Sequence, residues 1–145
     1  KKFKPWGVIL FSRNIRNIKQ TFELTSSIRA IFNDKKYPIL IDQEGGRVNR
    51  LEKIISFNNL TSEFFGNKFK KNFREFNLYY KLFIDKTSYL LKSIGVNVNT
   101  SPVLDLRIKG ASNVIGDRAF SSTLYTLYSL VIIVLIIITK MKLEQ

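Results

Sequence analysis

The sequence predicts an α/β fold in which parallel strands alternate with helices. Short apolar runs at residues 6–11 and 38–41 have the length of buried strands, and between them apolar side chains recur at helical spacing from Ile18 to Phe32. Parallel strands need a crossover connection, so the order strand, helix, strand implies a right-handed βαβ unit. The second run ends at Asp42, followed by two glycines, and α/β enzymes place polar site groups at this edge of the sheet.

The first helix is predicted from a cap and a periodic stripe. Asn17 suits the N-cap, and Gln20 stands three residues later in a capping-box position. The stripe expected to pack on the sheet consists of Ile18, Phe22, Thr25, Ile28, Ile31 and Phe32.

Two further helices and a third strand follow. Residues 61–63 open a short helix that we expect Gly66 to interrupt. A longer helix has one apolar face from Phe73 to Ile94 and ends where Gly95 suits the C′ position. Residues 96–99 alternate apolar and polar side chains, which predicts the third strand.

Two aspartates follow predicted strands and are candidates for ligand binding. The carboxylate of Asp42 can accept two hydrogen bonds from ligand hydroxyls, each worth roughly 1.5–3 kcal/mol. Capping the backbone N–H groups of a strand-to-helix turn explains the same residue equally well. Asp105 has the same two interpretations, a site residue or a structural aspartate that bonds loop amides.

Three motifs together narrow the function. The stretch from Asp42 to Val48, with the sequence DQEGGRV, resembles the signature of glycoside hydrolase family 3, in particular of its bacterial β-N-acetylhexosaminidases. Residues 7–14 upstream, and residues 102–106 with 114–120 downstream, agree with the family's order. The resemblance covers about residues 5–122 and implies the N-terminal strands and helices of a (β/α)8 TIM barrel, with about three strands.

Length and composition divide the chain. A complete eight-stranded barrel needs about 250 residues, so 145 residues predict an incomplete one. We assign residues 1–122 to the family's barrel domain and residues 123–145 to an apolar tail outside the family pattern. The β-branched run at 131–138 has the character of a buried strand or an aggregation-prone segment. The abrupt change near Ser122 suggests the hypothesis of a shifted reading frame.

The resemblance implies a substrate and roles for five residues. Family members of this type remove terminal β-linked N-acetylglucosamine from oligosaccharides or peptidoglycan fragments with retention of configuration. Asp42 and Arg50 are expected to hold sugar hydroxyls, and Arg118 to contact the same sugar. Glu44 and Arg47 are expected to brace the turn, with Glu44 pairing with Arg47. The implied partner is an N-acetylglucosaminide, and no metal or organic cofactor is implied.

Catalytic residues are not predicted within this chain. The family's acid–base histidine and nucleophilic aspartate belong to later regions of the barrel, and the chain has no histidine. We therefore expect the chain alone to be inactive. The absence of cysteine excludes disulfides and thiolate metal sites and is compatible with the cytoplasmic location that we expect.

The composition leaves two non-enzymatic alternatives. The first is a basic protein anchored to a membrane through residues 124–138, although this segment is shorter than the roughly 20 residues of a spanning helix. The second is nucleic-acid binding, which the formal net charge of +13 invites. Since the lysines are dispersed and form no basic stripe, nucleic acid is not an expected partner.

Overall fold

The centre of the molecule is a small parallel sheet. The computed structural model describes residues 3–110 and 112–143. Strands β1 (Val8–Leu10), β2 (Ile39–Ile41) and β3 (Val98–Asn99) form a three-stranded sheet in that order, and both neighbours of β2 run parallel to it. The predicted α/β class and the parallel crossover are therefore confirmed.

The register of the sheet brings three loops together. Ile41 pairs with Leu10 on one side and with Asn99 on the other, so the three strands end at nearly the same level. The residues that follow each strand consequently gather at one edge, the carboxyl edge of the sheet. Asp42 follows β2 and Thr100 follows β3 at this edge.

Helices connect and cover these strands. Within the described ranges they are α1 (Ile18–Phe32), α2 (Ser62–Lys71), α3 (Phe73–Ser93) and α4 (Leu124–Leu143). Short 3-10 turns lie at Ser12–Asn14 and Gly116–Arg118, both in loops at the carboxyl edge.

Two helix ends lie where the sequence predicts them. The Asn17 side chain accepts a hydrogen bond from the backbone N–H of Gln20 at 2.8 Å, which satisfies a free donor of the first turn. At the end of α3, Gly95 adopts φ 75°, and Val96 donates to the Leu91 carbonyl at 2.9 Å. This is a Schellman ending, in which glycine supplies the left-handed conformation.

The buried face of α1 differs from the predicted stripe. Thr21 and Thr25 are fully buried, whereas three stripe residues are largely exposed, namely Ile18, Phe22 and Ile31. Thr25 Oγ1 donates to the carbonyl oxygen of Ile94 at 2.9 Å. A Cβ on Gly95 would lie 2.3 Å from the same Thr25 Oγ1. Small side chains on α1 thus permit a close approach to the end of α3, which a hydrophobicity pattern does not show.

The prediction that Gly66 interrupts a helix is wrong. The helix α2 runs without a break from Ser62 to Lys71. A Cβ on Gly66 would lie 1.8 Å from the carbonyl oxygen of Phe120. Glycine is therefore used here for the close contact between α2 and the chain before α4, and not to end the helix.

The apolar tail is helical, so the strand interpretation of its β-branched run is wrong. Four side chains spaced three or four residues apart are buried in the core: Leu127, Leu130, Val134 and Ile137. This spacing is the helical period, and burial of the resulting face outweighs the modest helix penalty of β-branched residues. Among the described residues, no helix is both long and apolar enough to cross a membrane.

Candidate functional site

Asp42 is held at the carboxyl edge by contacts from two loops. Its Oδ1 accepts a hydrogen bond from Thr100 Oγ1 at 2.5 Å, and its Oδ2 lies 3.6 Å from Arg50 Nη2. The side chains of Asp42 and Arg50 are 31% and 25% exposed, so both have free surface for a ligand. The structure therefore brings together two of the three predicted sugar-binding residues.

Arg50 also lies beside an aromatic ring from the loop after β1. Its guanidinium carbon is 5.3 Å from the ring centroid of Phe11, and that of Arg13 is 4.8 Å from the same centroid. Such cation–π contacts are worth about 0.5–1 kcal/mol at exposed positions. The Arg50 Nε atom is buried and has no hydrogen-bond partner, so the guanidinium still has unused donor capacity.

Arg118 pairs with Glu44, which corrects the expected pairing of Glu44 with Arg47. Arg118 Nε donates to Glu44 Oε2 at 2.9 Å, and Nη2 donates to Oε1 at 2.8 Å. The hydrogen bond from Glu44 raises the pKa of Arg118, and the negative charges of Asp105 and Asp42 act in the same direction. The remaining nitrogen, Nη1, donates to the Val114 carbonyl oxygen at 3.4 Å. The charge of Asp42 acts on this guanidinium from within electrostatic range.

Arg47 instead holds the loop that carries Arg118. Its Nη2 lies 2.6–2.9 Å from three successive carbonyl oxygens, those of residues 113–115. Its Nε lies 3.0 Å from Asp117 Oδ1. Arg47 therefore braces a different segment from the one expected, because the loop after β3 folds back over the turn after β2.

Two glycines shape the turn between Glu44 and Arg47. Gly45 and Gly46 have φ angles of 90° and 56°, a region that favours glycine. A Cβ on Gly45 would lie 2.3 Å from the Leu60 carbonyl oxygen. The turn thus sends Glu44 and Arg47 to two different partners in the loop after β3.

Sequence reasoning missed two residues at this edge. Thr100 bonds the carboxylate of Asp42, and Gln43 is 1% exposed with both side-chain polar atoms bonded. The parallel register offers a signal for Thr100, since it follows β3 just as Asp42 follows β2. Nothing in the sequence distinguishes Gln43 from a solvent-exposed loop residue.

The chemistry of the site suits a ligand rich in hydroxyl groups. A carboxylate acceptor lies beside Arg50, whose guanidinium donates in a planar fork, and Arg118 adds a second guanidinium nearby. Ligand hydroxyls can donate to the first and accept from the others. Within the described parts of the chain, no group of three or more acidic, histidine or cysteine side chains is arranged to hold a metal ion.

Comparison with known families gives a match over most of the chain. The model for the N-terminal domain of glycosyl hydrolase family 3 matches residues 3–135. The match includes the motifs at the carboxyl edge and continues into the segment that the sequence analysis placed outside the family pattern.

Curated relatives of similar sequence are named β-hexosaminidase. The protein from Thioalkalivibrio sulfidiphilus is 36% identical over 115 residues, and that from Hydrogenovibrio crunogenus is 39% identical over 117 residues. These alignments cover 79% and 80% of this chain and 32% of each relative. The chain thus spans about a third of the length of the curated relatives it matches.

Solved structures of similar fold include those of a protein named NagZ. Native NagZ from Neisseria gonorrhoeae superposes with a TM-score of 0.74 at 28% identity, covering 89% of this chain and 37% of NagZ. The same protein in complex with N-trifluoroacetyl-D-glucosamine matches with the same TM-score of 0.74.

Proposed function

Because the chain belongs to glycosyl hydrolase family 3, we propose that it supplies sugar-binding groups of a β-N-acetylhexosaminidase. Asp42, Arg50 and Arg118 bind the terminal N-acetylglucosamine through its hydroxyls in this proposal. The observation that carries it is the contact of Asp42 with Arg50 at the carboxyl edge, with Arg118 in electrostatic range. The cytoplasmic location expected from the sequence belongs to the same proposal.

The names of the relatives support the choice of sugar. The relatives are β-hexosaminidases, and NagZ from Neisseria gonorrhoeae has been crystallised with an N-acylated glucosamine. We propose that the reaction is hydrolysis of terminal β-linked N-acetylglucosamine from oligosaccharides or peptidoglycan fragments. Retention of configuration would require a nucleophilic carboxylate and an acid–base group on opposite sides of the glycosidic bond.

We assign neither the role of nucleophile nor that of acid–base group to Asp42 or Glu44. Asp42 is bonded by Thr100 and paired with Arg50, and Glu44 uses both oxygens on Arg118. The chain also lacks histidine, the residue that serves as acid–base group in the family it resembles. In this proposal the chain contributes binding, and the catalytic groups lie outside its 145 residues.

Binding of N-acetylglucosamine to the purified chain tests the sugar-binding part. We expect a titration followed by ¹H–¹⁵N spectra to perturb residues around Asp42, and Asp42→Asn to weaken binding at least tenfold, the loss of about one charge-assisted hydrogen bond. Asp34→Asn is the matched control, because Asp34 lies in the turn before β2, at the opposite end of the strand, and its side chain accepts a hydrogen bond from the backbone N–H of nearby Lys36. Equal affinity of both variants would contradict the proposal.

Activity measurements test the proposal that the chain alone does not catalyse hydrolysis. The chain is expected to release no chromophore from a chromogenic N-acetylglucosaminide above the blank. Turnover that copurifies with the chain and disappears in Asp42→Asn would show that a catalytic pair exists within it.

A further inference from the structure

Gln43 is a buried amide between the two acidic residues of the site. Its Nε2 donates to Asn49 Oδ1 at 3.1 Å, and its Oε1 accepts from the backbone N–H of Leu51 at 3.1 Å. Asn49 and Leu51 are the immediate neighbours of Arg50 on either side. One side chain therefore bonds the side chain of the residue before Arg50 and the backbone of the residue after it.

The main chain of Gln43 is fixed to the next strand. Its N–H donates to Asn99 Oδ1 at 2.9 Å, and its carbonyl oxygen accepts from Asn99 Nδ2 and from Ser101 Oγ. Asn49 is fixed in addition by a bond from its Nδ2 to the Ile55 carbonyl oxygen at 2.9 Å. Gln43 thus connects the hydrogen-bonded end of β2 to the loop that carries Arg50.

The guanidinium of Arg50 has few strong contacts of its own. Its distance of 3.6 Å to Asp42 exceeds that of a charge-assisted hydrogen bond, and its Nε is buried without a partner. The cation–π contact with Phe11 restricts the side chain only loosely. The direction of the side chain therefore depends on where the backbone places its Cα.

We propose that Gln43 is a positioning residue that sets Arg50 beside Asp42, ready to bind the sugar. The effect on sugar affinity rests on the function proposed above for Arg50, whereas the effect on Arg50 itself does not. If Gln43 serves only to satisfy the hydrogen bonds of buried polar groups, a different result is expected. In that case, replacing Gln43 lowers the stability of the fold and leaves the environment of Arg50 unchanged in the molecules that remain folded.

The first measurement needs no ligand. In ¹⁵N-labelled protein, the Nε–Hε signal of Arg50 can be assigned by its loss in Arg50→Lys. We expect Gln43→Met, which has similar size and makes neither bond, to shift this signal. Thr25→Val is the matched control, since it removes the buried bond to the Ile94 carbonyl away from the site. An unchanged Arg50 signal in folded Gln43→Met would overturn the proposal.

The second measurement uses N-acetylglucosamine as the probe. Gln43→Met is expected to raise the dissociation constant roughly tenfold, the size of one lost bond to a charged group. In an Arg50→Ala background the same substitution should have no further effect. A tenfold loss that persists in that background would contradict a role through Arg50.

The proposal can still be tested if Gln43→Met does not fold or if the wild-type chain does not bind the sugar. If Gln43→Met does not fold, Asn49→Ser removes one of the two Gln43 side-chain bonds, together with the bond from Asn49 to the Ile55 carbonyl, and should shift the Arg50 signal in the same sense. An unchanged signal there would also overturn the proposal. If the wild-type chain does not bind N-acetylglucosamine, the proposed function fails, but the ligand-free signal still decides whether Gln43 positions Arg50.

Discussion

Glu44 has the least exposed charge among the ion pairs of the described residues, with 7% of its side chain accessible. Its two bonds to Arg118 join the loops after β2 and β3 across 74 positions of sequence. Desolvation makes a carboxylate costly unless its oxygens are fully bonded, which the fork of an arginine achieves. We infer that Glu44 serves first to orient Arg118 and that it is not free to attack a substrate.

We therefore expect Glu44→Gln, in a partly buried ion pair, to cost more free energy of unfolding than the same substitution in an exposed ion pair. The substitution keeps the shape but removes the charge and turns an NH2 group towards Arg118, so we expect the free energy of unfolding to fall by about 1–3 kcal/mol. Glu63→Gln, which weakens the exposed pair of Glu63 with Arg107, should cost less than about 1 kcal/mol. Urea unfolding measures both, and equal losses would contradict the inference.

At the residue scale the sequence predicts which groups gather but not how they pair. Asp42 and Arg50 are eight positions apart on one loop, and their proximity follows from the turn between them. The partners of Glu44 and Arg47 depend on the path of the loop after β3. Charge alone cannot choose between Arg47 and Arg118, because both offer the same chemistry.

At the scale of elements, glycine and threonine determine how closely the helices approach. Gly66 of α2 touches the backbone of Phe120, and Gly95 touches Thr25 of α1. The start of α1 and the end of α3 were predictable, because caps act over three or four neighbouring residues. Close contacts were not predictable, because they depend on segments far apart in sequence.

Gly66→Ala tests whether this contact outweighs helix propensity. Alanine is favoured over glycine inside a helix by about 1 kcal/mol, but its Cβ would lie 1.8 Å from the Phe120 oxygen. We expect the clash to prevail and to reduce the free energy of unfolding by about 1–3 kcal/mol. Asn67→Ala at the exposed neighbouring position should be neutral or stabilising. Stabilisation of both variants in thermal unfolding would mean that the two segments are not in contact.

At the scale of the whole molecule, the sequence predicted the parallel sheet and the polar side chains at its carboxyl edge. These follow from the order of apolar runs and from the position of polar residues just after them. The structure of residues 124–143 was not predictable in this way, because an unbroken apolar run has no periodicity from which to choose helix or strand. The origin of residues 123–145 stays a prediction, which the coding DNA read in three forward frames would test.

Removal of α4 distinguishes a helix that completes the core from one that anchors the chain. Four buried aliphatic side chains, each worth roughly 1.5–3 kcal/mol, attach α4 to the core: Leu127, Leu130, Val134 and Ile137. A chain ending at Ser122 uncovers the surface beneath them, and we expect it to be less soluble without detergent than the full chain. If α4 is instead a membrane anchor, the shortened chain should be more soluble than the full chain.

A point mutation in α4 tests the same packing without removing the helix. Leu130→Ala should reduce the free energy of unfolding by about 2–5 kcal/mol, while Leu135→Ala at a 53% exposed position should change it little. Equal stability of these two variants would show that α4 does not pack on the core.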